Sequence, residues 1–222
     1  MPANRSPIVL DMDGVVLQTN VVKHDAMVAL FDVEAGARHE ISRYILANVG
    51  LRRDLKIAHI LRHFLGESRP EALLAEYLVR YAIGLEEGLR SARVVPGVDV
   101  FVRDPAYTFY ISSSAPESEI EMQMRSRGLA GCFARVFGGS TPKAEALVEV
   151  REEHGSAPVF FGDSAGDRKA AQLARVPFVA VTCEFDNFPG MAITKLRDFS
   201  SAVRVQDCLL AATVPGREAI EG

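Results

Sequence analysis

Five short apolar runs, each followed at once by polar residues, constrain the fold of this chain more than any other feature. They are rich in β-branched and aromatic residues, which is typical of buried strands in a parallel sheet. The segments between the last four runs have helical character and the length of crossover connections. The sequence therefore predicts an α/β fold with an open parallel sheet, in which ligands bind beyond the carboxyl ends of the strands. The predicted strands are 8–10, 109–111, 136–137, 159–161 and 176–181, and the predicted connecting helices are 117–127, 142–153 and 167–175.

About ninety residues separate the first predicted strand from the second, which is far too many for a plain crossover. Apolar residues recur there at helical spacing, so we predict an all-helical insertion over 18–91, closed by Val95-Pro96-Gly97. The α/β core then consists of 1–17 and 92–222. Weaker helical candidates are 22–31 and 41–49, and the two strongest apolar stripes are Ile57, Ile60, Leu61, Phe64 and Leu65, and Leu73, Leu74, Tyr77, Leu78 and Tyr81.

Charge and hydropathy argue against several kinds of partner. The chain has 25 lysines and arginines against 29 acidic residues, a net charge of −4, and no basic block that would follow a phosphate backbone, so we expect no nucleic acid partner. No apolar stretch approaches the roughly 18 residues that span a bilayer, so we expect no membrane association. Cys132, Cys183 and Cys208 lack metal-site spacing and indicate a cytoplasmic location. The sequence leaves the oligomeric state open.

Asp11-Met12-Asp13-Gly14 follows the first predicted strand and places two carboxylates two residues apart, with a glycine that permits a tight turn. This pattern suits a hard cation and a phosphoryl group. An ordinary Asp-Gly turn is the alternative. An EF-hand is excluded because Val15 and Val16 occupy positions that need oxygen ligands.

Gly162-Asp163-Ser164-Ala165-Gly166-Asp167 follows the fourth predicted strand. Carboxylates at the ends of neighbouring strands complete the kind of oxygen site that Mg²⁺ uses. The alternative is that Asp163 and Asp167 only cap the following helix. We expect Asp167 to serve the helix as well as the site.

Lys143 stands where a cation is unfavourable. In Ser140-Thr141-Pro142-Lys143, we expect Thr141 to be the N-cap and Pro142 to open the helix, which puts Lys143 in the first turn against the helix dipole. Such a placement is explained if carboxylates and a phosphoryl group converge there, since lysine is a compact point charge for phosphate. A solvated surface lysine is the alternative.

Ser112, Ser113 and Ser114 follow the second predicted strand. Ser114 and Glu117 have the spacing of a capping box, which predicts a structural role for Ser114. Ser112 or Ser113 then remains to offer a hydroxyl to a ligand. Three turn-forming serines without a ligand are the alternative.

The segments DMDGVV, SSS, STPK and GDSAGD together resemble the four motifs of the haloacid dehalogenase (HAD) superfamily, and the match spans the chain. The resemblance implies a Rossmann-like core in which Asp11 is the nucleophile that forms an aspartyl-phosphate and Asp13 is the acid and base. It implies Mg²⁺ held by the Asp11 side chain, the Asp13 carbonyl and Asp163, with support from Asp167. The implied phosphoryl-binding residues are Ser113, Ser114 and Lys143, and by spacing Ser113 matches better than Ser112.

The helical insertion falls where this superfamily places its C1-type cap, a lid over the site. The segment 50–56 resembles the cap loop of β-phosphoglucomutase-like enzymes, with Arg53 at the phosphate-contacting arginine and Lys56 as a second substrate residue. Two departures are Arg52, where a serine is expected, and Gln18, where an aspartate is common. Cations on a solvated helix start are the alternative.

The resemblance favours a Mg²⁺-dependent phosphatase that acts on a small phosphorylated metabolite such as a sugar phosphate. A β-phosphoglucomutase-like mutase is the nearest alternative, and a catalytically silent protein that binds a phosphorylated ligand is a third. Dehalogenase and phosphonatase activities are disfavoured because those relatives lack an aspartate at the position of Asp13.

Overall fold

The computed structural model describes residues 5–48 and 51–213. The chain divides into two compact units, one comprising Met1–Gln18 and Arg93–Gly222 and the other Thr19–Ala92. Within the described ranges, no helix combines the length and the apolar character that a membrane crossing needs.

The first unit contains a six-stranded sheet of order β3-β2-β1-β4-β5-β6, and every neighbouring pair is parallel. The predicted α/β class is thus confirmed. The β1–β2 and β1–β4 crossovers put β1 in the middle of the sheet, where its carboxyl end is flanked on both sides. The strands are β1 Ser6–Leu10, β2 Tyr107–Ser112, β3 Phe133–Phe137, β4 Val159–Gly162, β5 Phe178–Val181 and β6 Lys195–Leu196.

The two faces of the sheet bury separate apolar clusters, because successive side chains of a strand point to opposite faces. Ile8 and Leu10 of β1 belong to one cluster, and Val9 belongs to the other. The sequence did not predict β6, which is only two residues long, nor the first and last helices of this unit. The helices are α5 Val98–Phe101, α6 Glu117–Ser126, α7 Lys143–His154, α8 Ala165–Ala174 and α9 Ala202–Thr213, with a 3₁₀ turn at Ala130–Cys132.

The predicted start of α6 at Glu117 is confirmed, but two predicted N-caps are wrong, and for the same reason. The N-cap of α6 is Pro116 rather than Ser114, and the N-cap of α7 is Pro142 rather than Thr141. Both prolines have an extended backbone, with ψ of 138° and 136°, so each helix begins at the residue that follows. The carbonyl of each proline accepts the first helical hydrogen bonds, and neither N-cap makes a side-chain cap. The capping box predicted for Ser114 and Glu117 is therefore wrong.

The second unit is helical and has its own apolar core. The stripe predicted at 73–81 lies in α4, and the one at 57–65 lies in α3 except for Phe64 and Leu65, which follow its end. Both contribute buried residues such as Ile57, Ile60, Leu61 and Tyr81. The helical candidate 41–49 extends one residue into the pair 49–50, which lies outside the described residues. The helices are α1 Asn20–Ala29, α2 Ala35–Ala47, α3 Arg53–His63 and α4 Pro70–Ser91.

The insertion leaves and re-enters the first unit through adjacent segments. The N–H of Gln18 donates to the carbonyl of Arg93 at 2.8 Å, and the N–H of Val95 donates to the carbonyl of Val16 at 3.0 Å. Leu17 and Val94 form an antiparallel bridge between these two contacts. The connections at the two ends of the insertion are thus hydrogen-bonded to each other within the first unit.

Candidate active site

The sheet brings Asp11 and Asp163 to the same edge. Each follows directly after the last residue of its strand, β1 and β4, and these strands are neighbours. The N–H of Asp11 donates to the carbonyl of Phe161 at 2.9 Å, which extends the β1–β4 pairing to Asp11. The predicted convergence of polar residues beyond the carboxyl ends of the strands is therefore observed for these two aspartates.

Asp11, Asp163 and Asp167 form a buried carboxylate cluster. One oxygen from each lies within 4.8 Å of the others, and the three residues are at most 6% exposed. Three anions this close in a buried place repel one another, and either a cation among them or a proton on one of them relieves the repulsion. Carboxylate oxygens are the donors that Mg²⁺ prefers, so the donor set fits that ion.

Lys143 supplies a cation to this cluster. Its Nζ lies 2.8 Å from Oδ1 of Asp11 and 2.5 Å from Oδ1 of Asp167. Burial opposes the charge of this ammonium, but attraction to Asp11 and Asp167 outweighs the burial and raises the pKa of Lys143. The position at the first residue of α7, unfavourable for the helix alone, is explained by these two ion pairs.

Asp167 also organises the loop that carries Asp163. Its Oδ2 accepts hydrogen bonds from the N–H of Asp163 at 3.2 Å and from the N–H and hydroxyl of Ser164 at 3.0 and 2.6 Å. The hydroxyl of Ser164 in turn accepts the N–H of Asp167, so the pair forms a capping box at the start of α8. Asp167 thus serves the helix and the carboxylate cluster together, as the sequence predicts.

Asp11 has an unusual ionisation. Burial, followed by the charge of Asp167, raises its pKa from 3.8 to about 7, although Lys143 opposes the change. Half-buried Asp13 lies close enough for its charge to raise this pKa further. Gly14, with φ of +73°, turns the chain after Asp13, and its N–H donates to the carbonyl of Leu17 at 2.8 Å. A divalent cation beside Asp11 would favour the ionised carboxylate.

The three serines after β2 have different surroundings. Ser112 is fully buried, and its Oγ has no hydrogen-bond partner among the described residues. Ser113 is buried too, but its Oγ accepts the N–H of Ala115 at 3.2 Å. Ser114 is exposed. Because Leu10 pairs with Ile111 across β1 and β2, Ser112 stands beside Asp11 at the edge of the sheet.

Asn187 is a residue near the site that the sequence did not predict. Its Nδ2 donates to the backbone carbonyl of Asp163 at 2.9 Å, which fastens the loop after β5 to the loop of the carboxylate cluster. The only signal was position, because Asn187 follows a predicted strand on the carboxyl side, where polar residues of an open sheet collect.

Arg53 and Lys56 lie in the helical unit, at the start of α3. The guanidinium of Arg53 lies 5.8 Å from the ring centroid of Tyr81, and Lys56 is buried. Arg52 is bound to Asp54 through two hydrogen bonds of 3.1 and 2.8 Å. The predicted contact of Arg53 and Lys56 with substrate stays a prediction.

Solved structures share this fold. A protein from Haemophilus somnus 129pt that is predicted to be a phosphoglycolate phosphatase aligns with a TM-score of 0.72 at 14% identity, over 92% of this chain and 99% of that one. A candidate β-phosphoglucomutase from Thermotoga maritima aligns with a TM-score of 0.67 at 18% identity, over 91% of this chain and 98% of that one. A candidate HAD-hydrolase, YfnB from Bacillus subtilis, was solved with magnesium bound. It aligns with a TM-score of 0.62 at 18% identity, over 91% of this chain and 99% of that one.

The fold is thus that of the HAD-superfamily hydrolases. A comparison with protein-family models finds no match, and a comparison with curated protein sequences finds none either. At identities below 20% the likeness establishes the fold, and activity has to be argued from the site.

Proposed function

We propose that this protein is a Mg²⁺-dependent phosphatase of the HAD type that hydrolyses a small phosphorylated metabolite. The observation that carries the proposal is the cluster of Asp11, Asp163 and Asp167 at the carboxyl edge of the sheet, with Lys143 paired to Asp11 and Asp167. Carboxylates for a hard cation and a lysine for phosphoryl oxygens are the groups that phosphoryl transfer requires. The free cysteines Cys132, Cys183 and Cys208 support a cytoplasmic location.

In the proposed reaction, Asp11 attacks phosphorus and the bond to the leaving alcohol breaks. Both hydrogen bonds to the Asp11 carboxylate, from Lys143 and from the N–H of Met12 at 2.8 Å, use Oδ1, so we assign the attack to Oδ2. Asp13 protonates the leaving oxygen, then takes a proton from the water that hydrolyses the aspartyl-phosphate. Asp11 is regenerated and phosphate is released.

Mg²⁺ would be held by Asp11, Asp163 and the carbonyl of Asp13, with Asp167 in support. When bound, it supplies positive charge that offsets the carboxylates and orients the phosphoryl oxygens. The Asp167–Lys143 ion pair keeps the lysine beside Asp11.

Ser112 is the serine that we assign to the phosphoryl group. A buried hydroxyl without a partner carries a cost that a ligand oxygen would relieve. The Oγ of Ser113 already accepts a backbone N–H, which supports a structural role for that residue. This assignment replaces the preference for Ser113 that spacing alone suggested.

We also propose that the helical unit is the lid of the site. Its place in the chain, between the nucleophile and the serines of β2, supports this role, since lids of this kind exclude water and read the substrate.

Replacing Asp11 by asparagine tests the mechanism directly. We expect hydrolysis of p-nitrophenyl phosphate in the presence of Mg²⁺ to fall by at least about 10³-fold, because the nucleophile is lost. Asp25→Asn, at an exposed position of α1, is the matched control. Hydrolysis by the Asp11 variant at the rate of the unaltered protein would contradict the mechanism.

A phosphosugar mutase is the second candidate, favoured by the Arg53 loop and by the likeness to the Thermotoga maritima protein. In a mutase, the aspartyl-phosphate returns its phosphoryl group to sugar rather than to water. Incubation with β-glucose 1-phosphate distinguishes the two, because a mutase yields glucose 6-phosphate and a phosphatase yields free phosphate. Ligand binding without turnover across a panel of phosphate esters would instead identify a silent binding protein.

A further inference from the structure

Gln18 and Cys183 are in contact although 165 residues separate them in the chain. The Nε2 of Gln18 donates to the Sγ of Cys183 at 3.3 Å, and both residues are half-buried. Gln18 is the last residue of the first unit before the helical unit, and Cys183 lies in the loop that follows β5. An aspartate, which is common at this position in the superfamily that the sequence resembles, has no N–H to donate to sulfur. The departure at Gln18 therefore has a structural partner.

The sulfur of Cys183 accepts this hydrogen bond as a neutral thiol. Burial raises the pKa of the Cys183 thiol, so the sulfur keeps its proton at neutral pH. Thiol sulfur is a weak acceptor. We therefore expect the contact to fix a local arrangement of the loop rather than to raise the stability of the whole protein.

The loop that contains Cys183 connects β5 to β6, spans residues 182–194, and is held in place along its length. Phe188 is buried, and its ring centroid lies 5.9 Å from that of Phe178 in β5. Nearer the end of the loop, the Nζ of Lys195 donates to Oδ2 of Asp186 at 2.8 Å. Packed side chains and hydrogen bonds of this kind pass a displacement of one part of a segment on to the rest.

The same loop reaches the carboxylate cluster. Asn187, four residues after Cys183, donates from its Nδ2 to the backbone carbonyl of Asp163 at 2.9 Å. A continuous series of contacts thus leads from Gln18 through Cys183 and Asn187 to Asp163. The residue at which the chain leaves the first unit is thereby joined to the loop that carries one of the three clustered carboxylates.

We infer that Gln18 is a positioning residue of the carboxylate cluster, because its contact with Cys183 fixes the loop that holds Asp163 in place. The inference rests on the proposed function, since Asp163 is a proposed ligand of Mg²⁺. Gln18 touches neither metal nor substrate in this role. It acts through the thiol of Cys183 and the amide of Asn187.

Amide hydrogen exchange, followed by NMR in EDTA, tests the inference without metal or substrate. Gln18→Met keeps the length of the side chain but removes the donor. It should speed the exchange of the N–H groups of Asp163 and Ser164 about three- to fivefold, the size of one net hydrogen bond. Cys183→Ala should have the same effect. Cys183→Ser keeps an acceptor, so both exchange rates should stay near those of the unaltered protein.

Gln206→Met is the matched control, because it removes an amide that donates to the hydroxyl of Tyr107 elsewhere in the first unit. It should leave the exchange of the Asp163 and Ser164 amides unchanged. Thermal melts of all variants separate this local effect from a loss of stability of the whole protein.

Calorimetric titration with Mg²⁺ gives a second readout. We expect the affinity for Mg²⁺ to fall about three- to fivefold in Gln18→Met and in Cys183→Ala, because a ligand of the metal is less well oriented. The double variant should lose no more than either single variant, since both substitutions remove the same contact.

Unchanged exchange of the Asp163 and Ser164 amides in Gln18→Met would overturn the inference. Effects of Gln18→Met and Cys183→Ala that add in the double variant would overturn it too, because Gln18 would then not act through Cys183. If the exchange rates respond as expected but the protein neither binds Mg²⁺ nor hydrolyses a phosphate ester, the proposed function fails and the positioning role of Gln18 stands.

Discussion

A Cβ atom added at Gly162 would lie 2.4 Å from the Cβ of Asp167 and 2.7 Å from its Cγ. Contacts between carbon atoms do not become this short, so a side chain at position 162 and the observed Asp167 exclude each other. The glycine at the end of β4 is therefore what lets Asp167 reach back to the N–H of Asp163 and to Lys143.

Gly162→Ala should displace Asp167 and weaken metal binding. We expect about 10–100-fold lower affinity for Mg²⁺, the usual effect of losing a residue that orients a metal site, and a loss of about 1–3 kcal/mol in stability from overpacking. Calorimetric titration with Mg²⁺ and urea unfolding measure the two effects. Gly166→Ala is the matched control, because an added Cβ there meets only the Ser164 Oγ at 3.5 Å. Equal Mg²⁺ affinities in the two variants would contradict the role of Gly162.

Lys143→Met should destabilise the protein without metal, because Asp11 and Asp167 then lose the cation that both contact. Breaking a buried ion pair from one side costs about 3–5 kcal/mol. Adding Asp167→Asn should restore part of this stability, since one uncompensated charge is removed. Urea unfolding of the single and double variants in EDTA measures the coupling. Phosphatase activity should stay low in both, and additive losses of stability would show that the pair is not coupled.

Asp11→Asn should stabilise the metal-free protein at high pH. The pKa of Asp11 in the folded state, about 7, lies above its ordinary 3.8, so ionisation opposes folding as the pH rises from about 4 through 7. The variant avoids this cost and should be more stable by up to about 4 kcal/mol above pH 7. At pH 4 the two proteins should agree. Urea unfolding in EDTA at pH 4 and pH 8 measures the free energy of unfolding of both proteins. A difference between them of equal size at both pH values would contradict the raised pKa of Asp11.

Replacing Ser112, Ser113 and Ser114 one at a time by alanine should change stability and kcat/KM in different ways. Ser112→Ala removes a buried hydroxyl without a partner, so stability should be unchanged or higher while kcat/KM falls about 10–100-fold. Ser113→Ala loses its hydrogen bond to Ala115, which should cost about 1 kcal/mol in stability. Exposed Ser114→Ala serves as the control. Steady-state kinetics and thermal melts measure both quantities, and a larger kinetic loss at Ser113 than at Ser112 would reverse the assignment.

Asn187→Ala should loosen the loop of the carboxylate cluster, because the carbonyl of Asp163 loses its amide donor. We expect the Mg²⁺ concentration for half-maximal activity to rise about tenfold, with kcat at saturating Mg²⁺ affected less. Asn48→Ala, which removes an amide donor to a carbonyl in the helical unit, is the matched control. A fall in kcat at saturating Mg²⁺ with no change in the Mg²⁺ dependence would argue against this role.

The carboxyl ends of β1 to β5 were predictable because each of these strands has an abrupt apolar-to-polar boundary. Asp11 and Asp163 were predictable because they stand at such boundaries, Asp167 because it closes the GDSAGD segment that begins at one, and Lys143 because its position opposes the helix dipole. These are local properties of the sequence.

Other features depend on tertiary contacts. The hydroxyl of Ser112 becomes buried without a hydrogen-bond partner only once β1, β2 and β3 pair around it. Asn187 follows β5 in a loop without a motif, and its target is a backbone carbonyl that any residue provides. The N-caps Pro116 and Pro142 were not predicted because proline is compatible with both the N-cap and the first helical position, and the backbone ψ decides between them.

The hydrogen-bonded junction at Gln18 and Arg93 has a consequence for how such a chain diversifies. Because the two ends of the insertion are tied together within the first unit, an exchange of everything between them changes no strand pairing of the sheet. The phosphoryl chemistry proposed for the first unit and the substrate choice proposed for the helical unit can then evolve separately, as a constant module and an exchangeable one.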